Sequence, residues 1–172
     1  MILTGPEIIQ QVRSNRIRIS PFDKDLVNPN SYNYRLSNEL YVLKGNVLDA
    51  KKATQWEQIT FNKSGFMLRP GFIYLSSTFE KIGSDHYVVS LIGRSSLGRL
   101  GLFLQITADL GQLGTYHAWT LELTVVQPIR IYPYMRIGQV SFWEPIGQVS
   151  TYYRQGYSQY SSPHQSEFHH KI

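Results

Sequence analysis

Residues Thr120–Phe142 read TLELTVVQPIRIYPYMRIGQVSF. Three short runs lie within them, Thr120–Val126, Ile129–Ile131 and Ile137–Phe142, cut apart by Gln127-Pro128 and Tyr132-Pro133. Apolar or alternating runs of this length, bounded by turn-forming pairs, read as β-strands. Alternation in the first is strict: Trp119, Leu121, Leu123 and Val125 fall on one face, Thr120, Glu122 and Thr124 on the other. The same texture continues outward. Arg16–Ile19, Leu40–Leu43, Gln58–Phe61, Gly65–Leu68, Ile73–Ser76, Tyr87–Ile92 and Phe103–Thr107 are further candidate strands, divided by Asn28-Pro29, Lys44-Gly45-Asn46 and Arg69-Pro70-Gly71. Many short strands at such spacing predict a mainly β fold, a barrel, sandwich or jelly roll. No βαβ rhythm is present, which argues against a doubly wound nucleotide fold.

Before the first strand, positions 4–13 read as a short helix. Thr4 stands at the N-cap with Glu7 three residues on, a capping-box pattern, and Leu3 and Ile8 occupy the staple positions. Ile8, Ile9 and Val12 supply one apolar face. Residues 1–145 are thus expected to form one β domain. Residues 146–172 change character: Tyr152, Tyr153, Tyr157 and Tyr160 stand among Ser, Gln and Gly, with too few apolar residues for a core. This segment is either a disordered tail or one that orders over a ligand, an active-site lid.

The 172 residues suffice for one substantial core. No apolar run approaches the roughly 18 residues of a membrane span. The start MILTGPEIIQ lacks the basic-then-apolar layout of a signal peptide, so the cytoplasm is the expected compartment. Seventeen Lys and Arg against twelve Asp and Glu give a formal charge of +5, which favours anionic partners. The basic residues are scattered rather than gathered in a stripe, so nucleic acid is not the expected partner. The chain has no cysteine, which rules out disulfides and Cys-ligated zinc. His86 and His117 are isolated, and adjacent His169 and His170 make no dedicated metal site by themselves. Walker, nucleophile-elbow and H-E-x-x-H motifs are absent.

Two features carry candidate chemistry. GRSSLGRLGL at 93–102 places Arg94, Arg99, Ser95 and Ser96 among three glycines. Guanidinium forks, hydroxyls and approachable backbone N–H groups suit a phosphate-rich ligand. The alternative is a tight turn whose serines satisfy backbone groups and whose arginines pair with surface acids. Glu122 is the second. On the polar face of its strand it is either a solvated surface residue or a general base in a pocket, its pKa raised by burial. Gly111 to Gly114 read as a hairpin turn, not a dinucleotide loop.

Together these residues resemble the dCTP deaminases of the dUTPase-like superfamily. GRSSLGRLGL is followed by Ile106-Thr107-Ala108 and, fourteen residues after Ala108, by Glu122 in TLEL. MILTGPEII, PFDKDLVNPNSYNYRLSNEL (21–40), LRPGFIYLSSTFEKI (68–82) and YPYMRIGQVSF (132–142) are similar to further blocks of that family. The resemblance implies a distorted β-barrel or jelly-roll subunit in a homotrimer with active sites between subunits. It implies hydrolytic deamination of dCTP to dUTP and ammonia, with Mg2+ carried by the triphosphate and no protein-bound catalytic metal. By the same resemblance Glu122 would activate water for attack on C4, and Ser95, Arg99 and the Ala108 backbone would orient that water. Arg94, Ser95 and Ser96, with Arg154 and Gln155 of the tail, would hold phosphates. Gln112, Thr120 and Leu121 would line the base and sugar pocket.

The chain departs from the family pattern in three places. Gln112 stands where the hairpin has a sugar-contacting Asp, and Leu113 replaces a proline. YYRQGY (152–157) keeps Gln155-Gly156 of the tail motif but has Arg154 in place of its lysine. Asn33 replaces an Asp of the early block. The hairpin change argues against a second step that would hydrolyse dUTP. It leaves open other pyrimidine nucleotides as substrates (CMP, dCMP, CTP or dUTP), and a non-catalytic nucleotide-binding relative.

Overall fold

The computed structural model describes residues 1–44, 47–104 and 107–170. The expected turn at Gly45-Asn46, the Gln105-Ile106 part of the strand expected over Phe103–Thr107, and Lys171-Ile172 lie outside the described residues.

Among the described residues the chain forms eleven strands. These are β1 (Arg18–Ser20), β2 (Tyr32–Arg35), β3 (Glu39–Lys44), β4 (Gln55–Thr60), β5 (Phe66–Leu68), β6 (Tyr74–Gly83), β7 (Val88–Gly93), β8 (Leu102–Leu104), β9 (Tyr116–Val125), β10 (Ile129–Ile131) and β11 (Arg136–Trp143). Helix α1 spans Gly5–Arg13 and a single helical turn, α2, spans Ser95–Gly98. The mainly β expectation holds. β2 had no strand signal in the sequence reading: Tyr32, Asn33 and Tyr34 are all buried, so no alternation marks it. The capping box does not form. Thr4 makes no side-chain cap, and the Glu7 carboxylate instead accepts from Gln11 one turn on. Leu3 and Ile8 do pack on the core as the staple predicts.

Three antiparallel sheets result. The largest has the order β4-β3-β6-β9-β8, with β1 on the far end of β6. A three-stranded sheet runs β2-β11-β7, and β5 pairs with β10. The core draws on both larger sheets. Tyr74, Ile82, Leu121 and Leu123 come from one, and Tyr32, Tyr34, Val89, Leu91, Val140 and Phe142 from the other.

The β6–β9 ladder is interrupted. Ser77 faces Thr120 and Lys81 faces Ala118, so Thr78, Phe79 and Glu80 oppose Trp119 alone. Trp119 pins this bulge at both ends: its backbone N–H donates to Thr78 Oγ1 (2.9 Å) and its Nε1 to Ile82 O (2.9 Å). Glu80 turns inward there and is fully buried. Its carboxylate accepts from Arg35 N (2.9 Å) and Arg35 Nε (2.6 Å).

Candidate functional site

Arg94–Leu102 connects β7 to β8 through α2. Leu97 is buried and anchors the turn, while Ser95, Ser96 and Arg99 are exposed. Gly101 has φ +80°, and a Cβ there would collide with Val126, so the chain needs glycine at this position. Gly101 O accepts from Val126 N (3.0 Å) and Leu100 O from Gln127 Nε2 (3.1 Å), which clamps the turn to the end of β9. Arg94 is held from the other side: Nη1 donates to Asn33 Oδ1 at 3.0 Å. Asn33 is itself buried, and its Nδ2 donates to Leu26 O (3.1 Å) and Asn28 Oδ1 (2.9 Å). The amide thus works in both directions, which a carboxylate at this position could not do.

On β9 the alternation holds from Thr120 onward: Leu121, Leu123 and Val125 are buried, and Thr120, Glu122 and Thr124 are half-buried on the opposite face. Leu121 is fully buried in the core, so only its backbone is available to the base pocket expected around it. Strand geometry dictates this, because a residue between Thr120 and Glu122 must face the other way. Glu122 lies directly across from Leu75 of β6. Burial pushes its carboxyl pKa upward.

The segment after β8 does not make a simple hairpin. It crosses to the other sheet, where Asp109 O accepts from Leu91 N (2.9 Å) and Gly111 N donates to Val89 O (2.8 Å). Gly111 fits flat there; a Cβ would collide with Val89 and Trp119. A tight turn follows, with Thr115 Oγ1 donating to Gln112 O (2.8 Å). Ala108 and Gln112 are exposed.

The tail meets this segment. Tyr153 N donates to Leu113 O (2.8 Å), and Arg154 pairs with Asp85 (3.2 Å), which also pairs with Arg18 (3.2 Å). Between tail and loop lies a cleft of about 620 Å³, lined by Val88, Leu110–Leu113 and Thr151–Gln155. Three residues expected to bind sugar or phosphate, Gln112, Arg154 and Gln155, are therefore brought together from distant stretches of sequence. Ser95, Ser96 and Arg99 are not at this cleft. Val88 lines it and Gly93 precedes the turn, so the length of β7, about 17 Å at strand rise, separates the two.

A second cavity of about 390 Å³ is lined by Tyr41, Trp56, Leu75 and Ser162–Gln165. It abuts the Glu122 face through Leu75, and His164 N donates to Thr120 Oγ1 (3.2 Å). The sequence reading did not single out Asp85 or the Arg35–Glu80 pair, and it took Tyr160 only as one of the tyrosines of a tail that is either disordered or a lid. Glu80 between Phe79 and Lys81, and a Ser/Gln-rich tail, give no periodic signal. No three His, Asp or Glu side chains among the described residues gather as a metal site. No described helix is long and apolar enough to cross a membrane.

A family model described as dCTP deaminase-like matches residues 2–145. The chain belongs to that family. It is 47% identical over 152 residues to a protein of Hathewaya histolytica named "dCTP deaminase, dUMP-forming", covering 88% of each chain. A protein of the same name from Clostridium beijerinckii is 44% identical over 152 residues, 88% of this chain and 87% of that one. A "dCTP deaminase" of Rhodopirellula baltica is 44% identical, over 86% of this chain and 74% of its own. Among solved structures, 2'-deoxycytidine 5'-triphosphate deaminase from Agrobacterium tumefaciens superposes with a TM-score of 0.65 at 21% identity. That match covers 82% of this chain and 47% of the longer one, and it supports the fold.

Proposed function

We propose that the chain hydrolyses dCTP to dUMP, ammonia and diphosphate, with Glu122 as general base. The observation that carries the reading is the 42–47% identity, across most of both chains, to proteins named as dUMP-forming dCTP deaminases. It favours dUMP over the expected dUTP as product. Gln112 in place of an Asp argued for stopping at dUTP, yet relatives this similar bear the dUMP-forming name.

The chemistry takes two waters. In the first step a water adds to C4 of cytosine, its proton passing to Glu122. Glu122 returns a proton by way of N3 and the leaving amine, ammonia departs, and uracil remains. A half-buried carboxylate whose pKa is raised by burial is a stronger base than a solvated one. Ser95, Arg99 and the Ala108 carbonyl are the proposed orienting groups for this water. In the second step water cleaves the α–β phosphoanhydride and diphosphate leaves. The cysteine-free chain lacks the thiolates of zinc-type cytidine deaminases, and the family resemblance implies the Glu122 carboxylate as the activating group.

Arg94, Ser95, Ser96, Arg154 and Gln155 are the proposed phosphate ligands, with Mg2+ arriving on the triphosphate, and Gln112 and Thr120 flank sugar and base. Their distribution over the α2 turn, the Glu122 face and the tail cleft supports a site completed by neighbouring copies in a homotrimer. The test is a panel of dCTP, CTP, dCMP, CMP and dUTP, scored for ammonia, base and phosphate products, with the mass of the assembly measured alongside. Ammonia and dUMP from dCTP are the expected result. A trimer releasing no ammonia from any cytosine nucleotide overturns the reading.

A further inference from the structure

Tyr160–Glu167 is knotted by its own side chains. Tyr160 and His164 stack at 3.5 Å between ring centroids, with planes 5° apart. Tyr160 OH donates to Glu167 Oε1 (2.7 Å), His164 Nε2 meets the same oxygen (3.1 Å), and Glu167 N donates to Tyr157 OH (2.8 Å). This knot is laid on the sheet face that carries Glu122. His164 N donates to Thr120 Oγ1, Thr54 Oγ1 donates to Gln165 Oε1 (3.4 Å), and Pro163 is buried. Beneath it Leu75 and Ser77, the cross-strand partners of Glu122 and Thr120, are 6% and 4% exposed. The sheet is thus covered on its second face by a segment that lies beyond the family match.

We propose that Tyr160–Glu167 is an autoinhibitory strap, which competes with the nucleotide for Thr120 and must lift from its own Glu122 face before substrate is bound. The inference rests on the proposed function, in which Thr120 flanks the base. The hydroxyl that would receive the base is already an acceptor for the strap, and the cavity left beneath the strap is walled by it. Because one carboxylate, Glu167, gathers Tyr160 and His164, loss of that side chain loosens the knot that shapes the strap.

Glu167→Ala and Tyr160→Ala are expected to lower the KM for dCTP roughly five-fold each, from loss of one or two net hydrogen bonds, with kcat unchanged or raised. A raised KM or a fallen kcat makes the segment part of the working site and overturns the proposal. Hydrogen exchange on the full chain carrying Glu122→Gln gives an independent reading. Added dCTP should speed exchange of the amides of 160–167; slower exchange overturns the strap as an inhibitor. Ammonia release by the unaltered chain tests the proposed function separately. An active chain slowed by Glu167→Ala removes the strap inference alone, and a chain that neither binds nor deaminates dCTP removes both.

Discussion

Arg94 donates from its guanidinium to the side-chain oxygen of Asn33, across β11 of the three-stranded sheet, while the Asn33 NH2 donates to Leu26 O and Asn28 Oδ1. The α2 turn is thereby tied to a buried amide whose donor and acceptor are both in use. Asn33→Asp would strengthen the bond to Arg94 but leave two oxygens facing a carboxylate. We expect destabilisation by roughly 1–3 kcal/mol, read by urea unfolding. Unchanged stability would show that the two amide donors are dispensable.

Glu122→Gln separates chemistry from folding. Loss of a general base predicts a fall in ammonia release of roughly 10²- to 10⁴-fold. The pH profile follows from the raised pKa. Activity in the parent chain should fall on acidification through a pH above the usual carboxylate range. Stability has the opposite sense. Burial favours protonated Glu122, so its contribution is greatest below the unfolded-state pKa and is lost as pH rises through the folded one. The Gln variant should therefore unfold at a higher temperature than the parent at neutral pH, with the gap closing in acid. A variant that is both inactive and less stable at neutral pH would contradict this.

Neighbouring positions on β9 should respond in different ways. Leu121→Ala removes a fully buried side chain and is expected to cost about 2–5 kcal/mol. Thr120→Ala, on the opposite face, should change stability by less and KM for dCTP by more. Thermal melts and steady-state kinetics on the two variants check both halves. Equal effects on KM would mean that the face of the strand does not matter.

Arg154 pairs with Asp85 at the rim of the 620 Å³ cleft, with 65% of its side chain exposed. An exposed pair of this kind adds about 0–1 kcal/mol to stability. Arg154→Ala should accordingly leave the melting temperature near that of the parent. If Arg154 turns to a phosphate chain, KM should rise roughly ten-fold for dCTP and little for dCMP. Equal losses for both nucleotides would place Arg154 away from the outer phosphates.

The sequence was most legible where a physical period exists. The polar face of Thr120, Glu122 and Thr124 follows from alternation, and the bounds of β10 and β11 follow from the prolines before them. β2 was invisible because Tyr32, Asn33 and Tyr34 are buried alike, and Glu7 of the expected capping box accepts from Gln11 instead. The alternation also placed the Leu121 side chain in the core, where the structure has it. The meeting of Gln112 with Arg154, and of Thr120 with His164, depends on where the tail crosses the sheets. No local pattern encodes that path. The tail residues that make those contacts are polar or aromatic in no regular order, so their partners become visible only in three dimensions.

The bulge opposite Trp119 has a consequence for how the two ends of β9 can change. Tyr116–Ala118 are registered against Lys81–Gly83, and Thr120–Leu123 against Tyr74–Ser77, with Trp119 fastened between them. The strand is therefore two ladders joined at a hinge pin. A residue gained or lost in the loop before Tyr116 can be taken up on the first ladder, and Glu122 keeps its place opposite Leu75 on the second. Such modular wiring lets the loop before Tyr116 be rewritten while the Glu122 carboxylate stays where it is.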